Sequence, residues 1–183
     1  MILRPWREKD AAALYKYAKD PKVGPNAGWP IHTSVENSRE ILKDVLMQEE
    51  CFAVVLKGET EPVGSIGLLI KAENNLAISL AEGEISYWIG VPYWGQGLIP
   101  EATHELMRHG FCDLKLGRIW CAYFNGNEKS KRVQEKCGFI FRHTEYEKEY
   151  PRINAVKTLH VTCITKEQWE ENMLRPCYKQ QTR

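Results

Sequence analysis

An α/β fold built on a mixed sheet is what this chain of 183 residues predicts. Three observations lead there. Seven stretches carry the β-branched and aromatic content or the two-residue alternation of strands. Segments with helical spacing of apolar residues separate some of them, which favours parallel neighbours. Other strand candidates are joined by tight turns, which favours hairpins, so both kinds of pairing belong in one sheet with helices on its faces. The length suits one domain, residues 1–183, and is enough to bury a substantial core.

The elements follow in order. Residues 2–6 are short and extended, and their proline suggests an edge strand. Residues 8–19 read as a helix with Leu14, Tyr17 and Ala18 on one stripe. The following DPKVGPNAGWPIHTS is a long loop of the kind that often carries function. Thr33 and Glu36 have capping-box spacing, so a helix is expected to start there, with Ile41, Leu42, Val45 and Leu46 as its apolar face. Residues 51–56 and 63–70 read as a strand pair around a turn at 58–61, and 73–81 as a loop. Residues 84–89 alternate, with Glu84, Ser86 and Trp88 on one face and Ile85, Tyr87 and Ile89 on the other. Leu98, Ala102, Leu106, Phe111 and Leu114 mark a long helix, 118–124 a strand, and 128–137 a short helix stopped by Gly138. Strands are expected at 139–147 and 155–164, and Thr165 with Gln168 caps a last helical turn.

Composition narrows the function. Twenty-five basic residues against 24 acidic ones leave a net charge of +1, and only Lys129-Ser130-Lys131-Arg132 concentrates positive charge. Bulk attraction to nucleic acid is not indicated. No apolar run reaches transmembrane length, and the N-terminus does not read as a secretory signal, so a cytoplasmic location is the expectation. The six cysteines (Cys51, Cys112, Cys121, Cys137, Cys163 and Cys177) form no CxxC pair and read as reduced, structural residues. The histidines show no metal spacing; His104 and His109 read as a helix-surface and a helix-end residue, and no metal is expected.

The chemistry centres on EISYWIGVPYWGQGLIPEATHELM, a strand, a glycine turn and a helix. A helix N-terminus leaves N–H groups unpaired, and glycines before it let a phosphate approach the backbone. The turn lacks the Gly-Lys-[Ser/Thr] of a Walker loop and the GxGxxG of a dinucleotide fold. Alone, it reads more readily as a tight connection between strand and helix.

Three stretches resolve that ambiguity: LRPWREKDAAAL, EISYWIGVPYWGQGLIPEA and NEKSKRVQEKCGF. With them the sequence resembles the GNAT (Gcn5-related) N-acetyltransferases over nearly its whole length, and more narrowly the branch of the ribosomal-protein alanine acetyltransferases. The family's loop runs Gln/Arg-x-x-Gly-x-Gly/Ala. Here Trp94 stands first, Gly97 at the glycine and Ile99, larger than usual, at the end.

The resemblance implies a GNAT fold of about seven strands, with the fourth and fifth splayed apart. Acetyl-CoA is then the co-substrate. Its pantetheine arm is expected to pair with the backbone around Ile89, Gly90 and Val91. Its pyrophosphate is expected on the N–H groups of Gly95, Gln96, Gly97, Leu98 and Ile99, beside Trp94. A backbone N–H at the splay serves as oxyanion donor. Asn127 and Ser130 match the branch's Asn-x-x-Ser, with Ser130 near the CoA sulfur and a possible proton donor to it; Asn127 also suits a helix start. Tyr123 is an alternative donor or a packing residue. Lys129, Lys131 and Arg132 meet the 3′-phosphate or form a solvated helix face.

Acetyl transfer needs an uncharged amine, hence a general base. Glu84 is the first candidate and Glu82 the reserve; the plain alternative for Glu84 is a strand carboxylate in an ion pair. Trp29 and His32 in the long loop, with Ser86 on the Glu84 face, are expected at the acceptor, and the alternative is a packed crossover. The reading is an acetyl-CoA-dependent N-acetyltransferase that acts by direct transfer in a ternary complex. Its acceptor is a protein N-terminus or a small-molecule amine, and a homodimer is compatible with it. The competing readings are a non-catalytic acyl-CoA sensor on the same scaffold and a nucleotide phosphotransferase, which the missing Walker lysine disfavours.

Overall fold

The computed structural model describes residues 1–70, 76, 79 and 81–174. Strands β1 (Ile2–Pro5), β2 (Cys51–Val55), β3 (Pro62–Ile70), β4 (Glu82–Ile89), β5 (Arg118–Phe124), β6 (Ile140–Tyr150) and β7 (Ala155–Thr165) form one sheet. Their order is β1-β2-β3-β4-β5-β7-β6. All neighbours are antiparallel except β4 and β5. Helices α1 (Ala11–Ala18), α2 (Val35–Ile41), α3 (Leu98–Arg108), α4 (Glu128–Lys136) and α5 (Lys166–Leu174) complete the fold. The parallel pair is the one whose connection contains α3, since parallel strands need a long crossover.

Alternation along β4 sorts the sheet into two layers. Ile85 joins Ala102, Leu106, Met107 and Phe111 in the core beneath α3. Trp88 joins Trp6, Leu14, Tyr17 and Val23 in the core beneath α1 and α2. Glu84 and Ser86 therefore belong to the α1/α2 side and Tyr87 to the α3/α4 side, as expected from the two-residue period.

The splay is visible in the register. Strands β4 and β5 pair only at Glu82↔Arg118, Gly83↔Ile119 and Glu84↔Trp120. Beyond that point β4 keeps its β3 ladder through Ile89, and β5 keeps its β7 ladder through Phe124. The two strands thus diverge toward their C-terminal ends, leaving a cleft whose backbone edges face each other.

Local chemistry moves several boundaries. The first helix is preceded by a separate 3-10 turn, Glu8–Asp10. Arg4 holds Asp10 through two bonds of 2.7 and 2.9 Å, and Arg7 N donates to the same carboxylate. The N-cap of α2 is Ser34 rather than Thr33, because Ser34 Oγ accepts from Asn37 N at 3.0 Å while Asn37 Oδ1 accepts from Thr33 N. That reciprocal pair takes the role expected of Glu36. Helices α2 and α3 both continue into π-helical turns, Leu42–Leu46 and His109–Asp113. Gly138 ends α4 at φ +82°, with Phe139 N donating to Gln134 O. Thr165 and Gln168 do cap α5 reciprocally. That helix extends well past a single turn because Trp169 packs on Phe111 at 5.4 Å. Most of the loop expected at 73–81 and Cys177 lie outside the described residues.

Candidate active site

Gly90 through Gly97 connect β4 to α3, and the turn is built from inside outward. Trp94 folds back so that Nε1 donates to Ile89 O at 3.0 Å, and Gln96 Nε2 donates to Pro92 O at 2.9 Å. Their side chains brace the turn. Gly95 and Gly97 sit at φ +78° and +80°, where a β-carbon is strained. A β-carbon added to either would meet nothing within 4 Å, so the space over both is open. Gly97 is also the N-cap of α3 and supplies no side-chain acceptor. The N–H groups of Leu98 and Ile99 therefore keep their donor capacity, while Pro100 has none to offer. Ile99 is 5% exposed and turned into the core, so its bulk does not fill this space. Lys129 brings its ammonium 4.2 Å from the Trp94 ring, adding positive charge beside the turn. These features fit a pyrophosphate. Gly90 does not fit the backbone pairing expected of it: its N–H donates to Val63 O and its C=O accepts from Tyr93 N. Gly90 is glycine for another reason, since a β-carbon would come 2.5 Å from the Tyr17 ring.

Across the cleft, Asn127 caps α4 by accepting from Ser130 N at 3.2 Å. This fixes Ser130 at the wall of the splay. Ser130 Oγ lies 2.9 Å from the Tyr87 hydroxyl and accepts from Gln134 Nε2 at 3.2 Å. Gln134 also donates to Ala122 O and accepts from Thr162 Oγ1. Burial pushes the Tyr87 hydroxyl well above the ordinary tyrosine value, ahead of the charges and bonds around it, so it stays protonated. The sequence reading placed Ser130 here but missed Tyr87 and Gln134. Alternation places Tyr87 only on the face of Ile85 and Ile89, and the tertiary approach of α4 reveals its partner. Tyr123 packs at 5.0 Å on His160. Arg132 is exposed on α4.

On the other side of the sheet, Glu84 is 7% exposed while Ser86, two residues on, is exposed. The Tyr150 hydroxyl is pushed up to about 12, first by burial and then by the carboxylates of Glu145 and Glu84. Glu82 instead accepts from Trp120 Nε1 at 2.9 Å and pairs with Arg118 at 3.3 Å. It is committed to β5.

The long loop closes over the end of the splay. Trp29 lies 5.9 Å from Trp88 and 5.1 Å from His32. A side chain at Gly28 would touch Phe124 and Tyr150, themselves 4.9 Å apart edge to face. Trp29 therefore walls the Glu84 side. His32 is 5% exposed, with Nδ1 2.8 Å from Ser38 Oγ, and burial holds it below the ordinary histidine value. It props Trp29 as a neutral side chain rather than facing an acceptor. Trp120, Phe124 and Tyr150 complete the wall; no local signal marks them, because they come from β5 and the β6–β7 hairpin.

Among the described residues, Cys51, Cys112, Cys121, Cys137 and Cys163 form no disulfide. Burial raises the Cys121 thiol far above its usual value and pushes Cys137 up to about 12, so neither presents a thiolate. No described helix is long and apolar enough to cross a membrane. His104 is half-buried and held below the usual histidine value by that burial, which corrects its reading as a surface residue.

Comparison with known proteins agrees with this geometry. The model of the acetyltransferase (GNAT) domain matches residues 1–140. The Bacillus subtilis protein named "Putative ribosomal N-acetyltransferase YdaF" is 39% identical over 59 residues, a stretch spanning 32% of each chain. The crystal structure of a GNAT-family acetyltransferase from Bacillus anthracis superposes with a TM-score of 0.78 at 25% identity, covering 90% of this chain and 94% of that one. The aminoglycoside acetyltransferase AAC(6′)-Ib, solved with coenzyme A, shares the fold at a TM-score of 0.73 and 20% identity, over 92% of this chain and 96% of that one. With three quarters of its length inside the family model, the chain belongs to the GNAT acetyltransferase family.

Proposed function

We propose that this acetyltransferase uses acetyl-CoA to acetylate a primary amine by direct transfer, the amine being a protein N-terminus or that of a small molecule. One observation carries the reading: a parallel strand pair that opens after three residues, leading into a helix N-terminus with no side-chain cap. The coenzyme A held by AAC(6′)-Ib and the ribosomal description of YdaF support donor and acceptor class respectively, and a cytoplasmic site of action is consistent with both.

Acetyl-CoA supplies an activated acyl group; the chain supplies everything else. The N–H groups from Gly95 to Ile99 and the α3 dipole receive the pyrophosphate, and Lys129 beside Trp94, with Lys131 and Arg132 on the same helix, offers positive charge to the 3′-phosphate. The N–H groups of Ile89 and Val91 pair with the pantetheine, their carbonyls being held by Trp94. Glu84 takes the proton of the amine, directly or through a water, on the side walled by Trp29, Trp120 and Tyr150. Ser130, held by Tyr87 and Gln134, stands where a thiolate leaves and donates a hydrogen bond to it. A CoA thiol leaves readily near neutral pH, so this donor assists rather than decides.

Calorimetry should show CoA and acetyl-CoA binding in preference to ATP; the reverse preference would sink the reading. Gly97→Val, which strains the φ +80° turn and fills its open face, should abolish CoA binding while the protein stays folded by circular dichroism. A thiol-release assay over peptides and small amines then separates an enzyme from a sensor that only binds acyl-CoA.

A further inference from the structure

The Glu84 side of the sheet bears a second feature that transfer itself does not use. A cavity of about 260 Å³ is lined by Arg118, Trp120, Arg142, Cys163 and Thr165. Register places Arg118 opposite Thr165 and Trp120 opposite Cys163, so these four share the face that carries Glu84. Arg142 reaches it by a bulge: pairing with β7 jumps from Phe141↔Thr162 to His143↔Val161, and Arg142 is the extra residue. Bulges of this kind re-aim a side chain.

The charge balance points to a ligand. Arg118 pairs with Glu82 at 3.3 Å and also acts on the Glu167 carboxylate. Arg142 has no ion-pair partner among the described residues, and Glu145 on the same strand is taken by His143 and Lys148. Arg142 thus stands beside an aromatic floor as the guanidinium without an ion-pair partner among the described residues. Trp120 is also the register partner of Glu84, so the cavity and the candidate base share a wall. Arg118 lies two residues before Trp120 on β5, roughly 7 Å away at strand spacing.

Resting on the reading of this cleft as an amine-acetylating site, we propose that the cavity is an acceptor subsite for a carboxylate. Arg142 is its main ligand, and Arg118 adds a second guanidinium. The acceptor then carries an acidic group within about 7–10 Å of its amine, the reach of one to two extended residues. Guanidinium forks suit a planar carboxylate, and the same two charges repel polyamines and other polycations.

The test uses short peptides identical except for Glu, Gln or Lys at the second or third position, together with a free ω-amino acid and its amide. Thiol release is measured for each in the wild type, Arg142→Ala and Arg142→Lys. The Glu peptide should exceed its Gln twin in kcat/KM by about five- to tenfold, mainly through KM, with the Lys peptide lower still. Arg142→Ala should bring the Glu-to-Gln ratio near one, and Arg142→Lys should restore part of it. A preference shared by the free amino acid assigns a small acceptor; one confined to the peptides assigns a protein terminus. Calorimetry of the Glu and Gln peptides against CoA-saturated protein reads the subsite without turnover. Equal affinity for the two, or a Glu preference untouched by Arg142→Ala, overturns the proposal. A retained Arg142-dependent preference in binding, with no amine acetylated, leaves the subsite standing and removes the catalytic reading instead.

Discussion

Glu84 owes its place to the two-residue period of β4, which sets it beside Ser86 and Trp88 on the α1/α2 side, and to the parallel register, which sets it level with Trp120. The last paired residue before the strands part is where an acyl group entering the cleft meets an acceptor from the other side. Its neighbour Glu82, two residues nearer the closed end, is held by Trp120 and Arg118. Replacing Glu84 by Gln keeps the shape and removes the base. The expected loss in kcat/KM is about 10²- to 10⁴-fold. The remaining rate should climb with pH through the ionisation of the amine itself, since only the fraction already neutral can react. A pH series of thiol release with the variant checks both points. An unchanged rate and profile would mean that water or another group takes the proton.

At the scale of elements, the end of α3 is tied to the start of β2 by one histidine. His109 Nε2 lies 2.8 Å from Glu50 and Nδ1 lies 2.8 Å from Asp113. Glu50 itself sits at φ +60°, unusual for a residue with a side chain. Burial disfavours a charged His109, but the hydrogen bond to Asp113 and the charge and hydrogen bond of Glu50 outweigh it, and the net effect raises its affinity for a proton. A group raised in the folded state adds stability below its unfolded value, about 6.5 for histidine, and loses it as pH rises through the folded value. Melting should therefore move down between pH 6 and pH 8, by no more than about 2 °C because the cluster is partly solvated. His109→Asn should flatten that slope, as differential scanning fluorimetry across the range would show. Half of this cluster was legible: Asp113 is four residues along the same helical segment. Glu50 is 59 residues away and enters only through packing. The cap of α2 shows the converse limit. The capping spacing was right in kind but one residue early, because Ser34 and Asn37 satisfy the same backbone groups at their own spacing of three. Glycine turns, alternation and caps are local, so they survive in a linear reading. Tyr87 on Ser130, Arg142 in its bulge and the Trp29–Trp88 wall are juxtapositions of distant segments, and nothing local marks them.

At the scale of the whole molecule, the sheet is two ladders joined by a narrow seam. Strands β1 to β4 form one antiparallel run with helices over both faces, and β5, β7 and β6 form the other. Only three residue pairs join β4 to β5. Beyond the seam, packing of Tyr87 on α4 and of the α3 core against Ile119 and Cys121 holds the halves together. The backbone groups of β4 and β5 that face the cleft lack ladder partners there, so they exchange with solvent more readily than those pairing with β3 or β7. A ligand that lies in the cleft and binds only the folded state stabilises it by mass action, about 2.7 kcal/mol at a hundredfold excess over Kd. For a chain of this size that corresponds to a melting shift of roughly 5–10 °C. Because such a ligand bridges both ladders, its effect should not stop at the glycine turn. Hydrogen exchange with saturating CoA should slow at Leu98 and Ile99, and also along Tyr87–Ile89 on one wall and Ala122–Phe124 on the other. Protection confined to the N-terminal turn of α3 would show that phosphate is held there while the cleft stays empty, and the pairing role of Ile89 and Val91 would fall with it.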